Sequence, residues 1–340
     1  LASDVPTDAA HRSDLTGIHR LLETLKAHAA PEAELVILSQ VPPGFTRAAA
    51  DALRRAAPDR AGRLWYQVET LVFGQAVERG LAPERFIIGC AKPTDPLPDA
   101  YASYLSAFGC PRLPMRYESA ELAKIAINMF LVSSLSTTNT LSELCEAVGA
   151  DWAEIAPALA LDRRIGPHAY LKPGLGFAGG NLDRDLATVS ALAHAHGTEA
   201  GVVDAWRSNG SHRRQWALTA LHREVLSQRA HPRIAVWGLA YKPQTGSTKD
   251  SPAVDLLQGL HPFEVRVYDP CVTLDRASGA DHALQASSAL EACDGADALA
   301  VMTPWPEFSQ VPLEALRAAM RGRVIVDPFT LQTARVRTPP

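Results

Sequence analysis

The sequence predicts an α/β protein, with two α/β regions on either side of an all-helical stretch. Three observations carry that expectation. Short apolar runs alternate with amphipathic helical segments at the start of the chain; the pattern becomes continuously helical from about Ser119 to Val148; and short apolar runs resume at Ile234. Alternation of this kind predicts doubly wound sheets.

In order along the chain, Asp14 to Ala29 places Leu15, Ile18, Leu21, Leu22 and Leu25 at helical spacing, with Asp14 as the cap. Leu35-Val36-Ile37-Leu38 reads as a buried parallel strand, ended by Pro42-Pro43-Gly44, and Thr46 to Ala57 as a second helix. Phe86-Ile87-Ile88-Gly89 is another strand. Leu122, Ile125, Ala126, Met129 and Phe130, continued by Leu141, Leu144 and Val148, stripe one helix long enough to span a domain or a dimer core. Residues 150–205 read as helices around a glycine-rich loop. The second α/β region has strands at 234–238, 265–268, 298–302 and 324–327 and a helix at Pro252 to Gly259.

Composition narrows the function classes. A chain of 340 residues accommodates two or three domains. The net charge of −4 excludes non-specific nucleic-acid binding, which needs excess Lys and Arg. No apolar run approaches the roughly 20 residues of a membrane helix, and the start has no signal-peptide pattern. Five scattered cysteines without a CxxC pair suit reduced thiols in a cytoplasmic protein, and no metal site is expected.

Two glycine motifs compete for a nucleotide. Gly174-Leu-Gly176-Phe-Ala-Gly179 spells GxGxxG, but Ala169 to Pro173 ahead of it is no buried strand, so a dinucleotide fingerprint is disfavoured. A glycine-rich loop opening a helix at Asn181 to Leu186 still lets backbone approach a ligand closely. Val236 to Pro243 does follow a strand; a plain turn and a nucleotide site using Lys242 are equally good readings of it. Lys124 and Asn128 lie four apart and share a helix face, flanked by large apolar residues that favour a cleft wall. Glu69 and Asp185 are carboxylates that spacing alone does not single out.

Taken together and in order, these segments resemble the UDP-glucose/GDP-mannose dehydrogenase family. Ser39-Gln40-Val41-Pro42-Pro43-Gly44-Phe45-Thr46 looks like its STVPxGTT segment. Glu69, Gly74-Gln75-Ala76 and Pro83 to Gly89 are similar to NPEFLREGxA…PxRIVIG. Ala120 to Asn128 and on to Asp151 resembles the central helix. Pro173 to Asp185 falls on PGxGYGGSCFPKD, and Gly238 to Pro252 on GLAFKPxTDDxRESP.

The resemblance implies a partial NAD-binding domain over 1–112, a central helical dimerisation domain over 113–208 and a C-terminal UDP-sugar-binding domain over 209–340. It implies NAD as cofactor, a homodimer, and oxidation of a nucleotide sugar at C6. Carried across, Lys124 stabilises the oxyanion, Asn128 and Asp185 orient sugar and water, and Glu69 assists proton transfer. Substrate contacts fall on Tyr170, Phe177, Gly179, Lys242 and Lys249, and cofactor contacts on Gln40 and Arg184.

Two departures shape the expectation. The family's GxGYVG loop has no counterpart in this sequence, which enters the pattern near its third strand; the polypeptide as written is expected to bind NAD poorly, and an incomplete sequence is the simplest account. Asn181 stands where the family has its nucleophilic Cys, and an amide forms no thiohemiacetal. Gln40 for Thr, Val68 for Pro, Val72 for Arg, Phe73 for Glu, Asp183 for Pro, Arg184 for Lys and Lys249 for Arg accompany these changes. The expected activity is therefore sugar oxidation halting at the aldehyde; the alternative is a catalytically silent nucleotide-sugar-binding homologue or partner subunit.

Overall fold

A computed structural model of the chain describes residues 1–8, 11–58, 62–71, 74–274 and 281–332. Val72 and Phe73, two of the departures above, lie outside the described residues. The chain forms two compact units: Leu1–Met129 with Ala187–Thr198, and Phe130–Leu186 with the residues from Glu199 onward.

The first unit runs α1 (Thr16–His28), β1 (Leu35–Ile37), α2 (Phe45–Ala56), β2 (Leu64–Gln67), α3 (Ala76–Leu81), β3 (Phe86–Cys90), α4 (Asp99–Ser106) and β4 (Arg112–Arg116). It also holds the first part of α5 (Tyr117–Val148). The N-cap of α1 is Leu15 rather than the expected Asp14; Asp14, one residue earlier, still accepts from the Thr16 N–H with its Oδ1 at 2.9 Å. The sheet order is β1-β2-β3-β4. Its pairing differs from a purely parallel sheet, because β2 and β3 are antiparallel while β1–β2 and β3–β4 are parallel. The helix between β2 and β3 is the six-residue α3. Ahead of β1 the chain is extended, with the Leu1 amino group donating to Val36 O and the Leu38 N–H donating to Leu1 O.

Two contacts fix α5 on this sheet. A Cβ at Gly89 of β3 would come within 3.0 Å of Ala120, so the helix rests directly on the strand. Tyr117, fully buried, donates its hydroxyl to Leu64 O of β2 at 2.5 Å, and burial pushes its pKa up to about 12. At 32 residues α5 contains neither Gly nor Pro. Its hydroxyls at Ser133, Thr137, Thr140 and Ser142 bond back to carbonyls three or four residues earlier, and Gly149 at φ +75° ends it.

The second unit continues with α6 (Trp152–Leu161), the start of α7 (Asn181–His196), α8 (Gly201–Arg214) and α9 (Trp216–Leu221). A C-terminal α/β region follows: β5 (Arg233–Trp237), α10 (Pro252–Gly259), β6 (Glu264–Tyr268), β7 (Leu284–Gln285), α11 (Ala289–Ala292), β8 (Ala298–Val301), α12 (Leu313–Ala319) and β9 (Val324–Val326). The strands are ordered β7-β6-β5-β8-β9 and all pair in parallel, the doubly wound arrangement the sequence predicts. Ile234, Ala235, Val236 and Trp237 of β5 are wholly buried, which is why this strand reads as an unbroken apolar run.

At the carboxyl end of β6 sits Asp269, in the place where a dinucleotide-binding sheet offers its ribose carboxylate. It is turned inward. Its Oδ2 accepts from the N–H groups of Leu239 and Ala240 and from Trp305 Nε1, and its Oδ1 accepts from the N–H groups of Cys271 and Val272. A buried carboxylate with five donors is a structural anchor, since each charge-assisted bond is worth about 1.5–3 kcal/mol. Asp269→Ala is therefore expected to destabilise the fold by on the order of 3 kcal/mol or more, measured by urea unfolding. A loss below about 1 kcal/mol would contradict the anchoring role.

Candidate functional site

In the second unit, residues 169–180 form a loop without strand or helix, leading into α7. No strand precedes its GxGxxG, so the dinucleotide reading fails there for the reason the sequence gives. The glycines serve packing instead. Gly176 has φ +79°, and a Cβ on it would lie 2.5 Å from Gly210 O of α8. Gly179 has φ +80°, and a Cβ would lie 2.6 Å from the Tyr241 ring. Gly180 has φ +78°, with Asp250 Oδ2 and Lys249 Cε at 2.7 and 2.9 Å from the added carbon. Only glycine combines this backbone with this proximity.

Side chains hold the loop from several directions. Thr138 Oγ1 donates to Tyr170 O at 2.8 Å, and Trp152 Nε1 donates to Leu171 O at 2.8 Å. Asn139 Oδ1 accepts from the Gly174 N–H at 2.8 Å, while Arg213 Nε donates to Gly174 O at 2.9 Å. Arg214 reaches Phe177 O, Asp250 O and the Asp255 carboxylate with three different nitrogens, at 2.9, 3.0 and 2.7 Å. The Gly179 N–H donates to Lys249 O at 3.2 Å. Arg213 is only 1% exposed and lies over the Trp216 ring, 4.5 Å from its centroid; burial pulls its pKa down. None of Thr138, Asn139, Trp152, Arg213, Arg214 or Asp255 stands out in the sequence, where they read as ordinary helix residues. The doublet Arg213-Arg214 facing a glycine-rich loop is the one signal that could have marked them.

This loop gathers most of the sequence-derived site residues of the second unit. Phe177 is buried against Gly210, where a Cβ would come within 2.5 Å of its ring. Asn181 is the first residue of α7 and is exposed. Asp185, 1% exposed, lies one turn further along, with Arg184 Nε 3.4 Å from its Oδ1. Arg184, expected at the cofactor, is thus a buried partner of Asp185. Lys249 presents its carbonyl to Gly179 and its side chain to Gly180. Lys242 lies over the Tyr241 ring, 5.5 Å from its centroid, and burial lowers its pKa and raises that of Tyr241. Tyr170 has its carbonyl in the network and its ring exposed. The 238–252 segment is therefore more than a turn: it packs through Tyr241, Lys249 and Asp250 on the glycine loop.

The other site residues belong to the first unit. Lys124 is half-buried and Asn128 buried, one turn apart on α5. Glu69 is half-buried beyond β2, accepting from Gln67 Nε2 at 2.8 Å; Gln67 Oε1 in turn accepts from the Tyr101 hydroxyl at 2.8 Å. Burial and neighbouring negative charge raise the Tyr101 pKa, which keeps this chain of hydrogen bonds protonated at its far end. Gln40 is half-buried just beyond Ser39, whose hydroxyl bonds to both the N–H and the carbonyl of Ser3.

α2 leaves the carboxyl end of β1, where a helix N-terminus could meet a phosphate. Glu121 fills that position: its Oε2 accepts from the Gly44 N–H at 2.6 Å and its Oε1 from the Thr46 N–H at 2.7 Å. The described residues therefore supply no open phosphate cradle at α2. Among them no group of three or more His, Cys, Asp or Glu could hold a metal ion, and no helix is long and apolar enough to cross a membrane. The cysteines are free thiols, and burial pushes Cys293 up to about 12.

Two α/β regions flank a helical middle along the chain, the second of them a doubly wound parallel sheet of the nucleotide-binding type of architecture. Two family models match the chain: the central domain of the UDP-glucose/GDP-mannose dehydrogenase family at residues 118–210, and its UDP-binding domain at 235–333. The chain belongs to the UDP-glucose/GDP-mannose dehydrogenase family, whose members use NAD. It is 29% identical over 342 residues to a UDP-glucose 6-dehydrogenase of Pseudomonas aeruginosa, covering 96% of this chain and 75% of that protein. It is 32% identical over 272 residues to UDP-glucose 6-dehydrogenase AglM of Haloferax volcanii, covering 78% and 62%. A UDP-glucose dehydrogenase structure from Pyrobaculum islandicum superposes with a TM-score of 0.82 at 26% identity, covering 97% of this chain and 76% of that one. Against these relatives the chain spans between 62% and 76% of their length.

The glycine loop yields a paired expectation. Gly179→Ala forces a Cβ onto Tyr241 at a left-handed φ and should destabilise by about 2 kcal/mol. Gly174→Ala meets nothing within 4 Å and should change stability by less than about 1 kcal/mol. Equal urea midpoints for the two variants would contradict the packing role.

Glu121 gives a pH expectation. Burial raises its pKa above the ordinary 4.5, against the opposing hydrogen bonds from Thr46 and Gly44. The folded chain then holds this proton more tightly than the unfolded chain, so its contribution to stability is full below about pH 4.5 and is lost as pH rises through the folded value. Relative to Glu121→Gln, the wild type should lose stability as pH rises above about 4.5, read from denaturation curves on either side of that pH. A constant difference would contradict it.

Proposed function

We propose that this chain takes part in NAD-dependent oxidation of the C6 alcohol of a nucleotide sugar of the UDP-glucose type, and that oxidation ends at the aldehyde. The observation that carries the second half is Asn181: an exposed amide heads α7 where the family pattern has its thiol. The names of the relatives, UDP-glucose 6-dehydrogenases, support the substrate class.

In this reading Lys124 holds positive charge against the alkoxide that forms when the C6 hydroxyl gives up its proton, and Glu69 takes that proton towards solvent. Asn128 and Asp185 orient the sugar and a water, with the buried Arg184 beside the Asp185 carboxylate. Phe177, Gly179, Tyr170, Lys242 and Lys249 bind the nucleotide sugar; Lys242 and Lys249 supply the cations its phosphates need. NAD, when bound near Gln40, supplies a hydride acceptor. The second oxidation normally requires a covalent sulfur adduct, and an amide nitrogen is too weak a nucleophile to replace it.

The three-part division into residues 1–112, 113–208 and 209–340 belongs to the same proposal, as do a cytoplasmic location and a homodimer. For the dimer, Phe130, Leu141, Leu144 and Val148 on α5 and Leu161 on α6 are exposed, with Phe130 at 78%, an apolar strip suited to a second copy.

The test is mass analysis of the products formed from UDP-glucose and NAD. The wild type should yield a product lighter by two hydrogens, and Asn181→Cys should shift the product to the uronate. Uronate from the wild type would overturn the halt at the aldehyde. Tight UDP-sugar binding without turnover in both proteins would favour a silent binding subunit.

A further inference from the structure

Far from the glycine loop in sequence, two histidines meet at the edge of the C-terminal sheet. His261 follows α10 and is exposed; His282 immediately precedes β7 and is half-buried. Their rings are 4.9 Å apart at the centroids and inclined by 45°. Both ring nitrogens of His282 are shielded from solvent and make no hydrogen bond. Burying an imidazole this way forfeits interactions that each of its polar atoms would have in water. It calls for an explanation that the dehydrogenase reaction does not provide.

We propose that His261 and His282 form a two-imidazole site for a borderline divalent cation of the Zn2+, Co2+ or Ni2+ type. A tetrahedral ion about 2.0–2.1 Å from one nitrogen of each ring holds the two ring centroids about 5 Å apart, which matches the observed separation. Imidazole is the donor this class of cation prefers, in its neutral form.

Two protein ligands leave the remaining positions to water, in keeping with the lack of any larger donor group among the described residues. Such a site is expected to be of moderate affinity and to act as a staple, tying the turn after α10 to the edge strand β7. It concerns neither the substrate nor NAD, so it stands or falls independently of the proposed reaction.

The test is Zn2+ titration of the whole chain by calorimetry, with visible spectra of the Co2+ form. One saturable ion per chain is expected, with tetrahedral Co2+ bands and a raised melting temperature. His261→Ala, at an exposed position, should weaken binding at least about tenfold and abolish the thermal shift. Because the chain has 11 histidines, His196→Ala, at an exposed position on α7, serves as the control and should bind as the wild type does. No saturable binding by the wild type, or unchanged affinity in His261→Ala, would overturn the site and leave the two rings as a simple aromatic contact.

Discussion

The second unit is organised around a backbone that has no ladder of its own. Residues 169–180 have no strand or helix partner, yet Leu175 and Phe177 are buried, so the peptide groups beside them must find partners elsewhere. An unsatisfied buried peptide group costs about 1–3 kcal/mol, and several of them would exceed what a loop can bear. The partners come from four elements: Thr138 and Asn139 of α5, Trp152 of α6, Arg213 and Arg214 of α8, and Lys249 of the segment after β5. Arg214 is central, because one guanidinium binds the loop, the 250 segment and α10 at once. The position of Asn181 and Asp185 at the head of α7 follows from that anchoring.

Carboxylates do similar work at two other points. Glu121 heads α2 in the first unit, and Asp269 gathers the turns at the carboxyl ends of β5 and β6 in the second. Both occupy places where a dinucleotide-binding sheet leaves N–H groups or an acid open to a ligand. Here the protein supplies its own carboxyl group. The C-terminal sheet keeps the doubly wound order while turning inward the acid that would hold a ribose, and the 238–252 segment packs on the glycine loop through Tyr241, Lys249 and Asp250.

Much of this was legible in the sequence, where periodicity and burial agree. β1, β3, β5, β6, β8 and β9 are short apolar runs, and α5 is an uninterrupted helical stripe without Gly or Pro. Of the strands that went unread, β4 and β7 lack that signal, and β2 is a buried run of only four residues, Leu64–Gln67, with Gln67 at its end. β4 is an exposed edge strand broken by Pro114 and flanked by Arg112 and Arg116, and β7 has only two residues. The antiparallel β2–β3 pair could not be anticipated without β2. In the site, the glycines and the lysines stood out as types, but the residues that hold the loop did not. Asn139 and Thr138 matter through one oxygen each, aimed by a helix at a backbone distant in sequence, and spacing along the chain carries no trace of that.

The separation between what shapes the loop and what reacts at it bears on Asn181. The glycine contacts with Tyr241, Lys249, Asp250 and Gly210 are buried or close-packed, and a change at any of them would be felt as strain. Asn181 is exposed at the first turn of α7, so a thiol and an amide can exchange there with little effect on packing. Stability therefore places strong demands on the loop and weak ones on position 181, while Asp185, one turn further along and 1% exposed beside Arg184, belongs to the closely packed part.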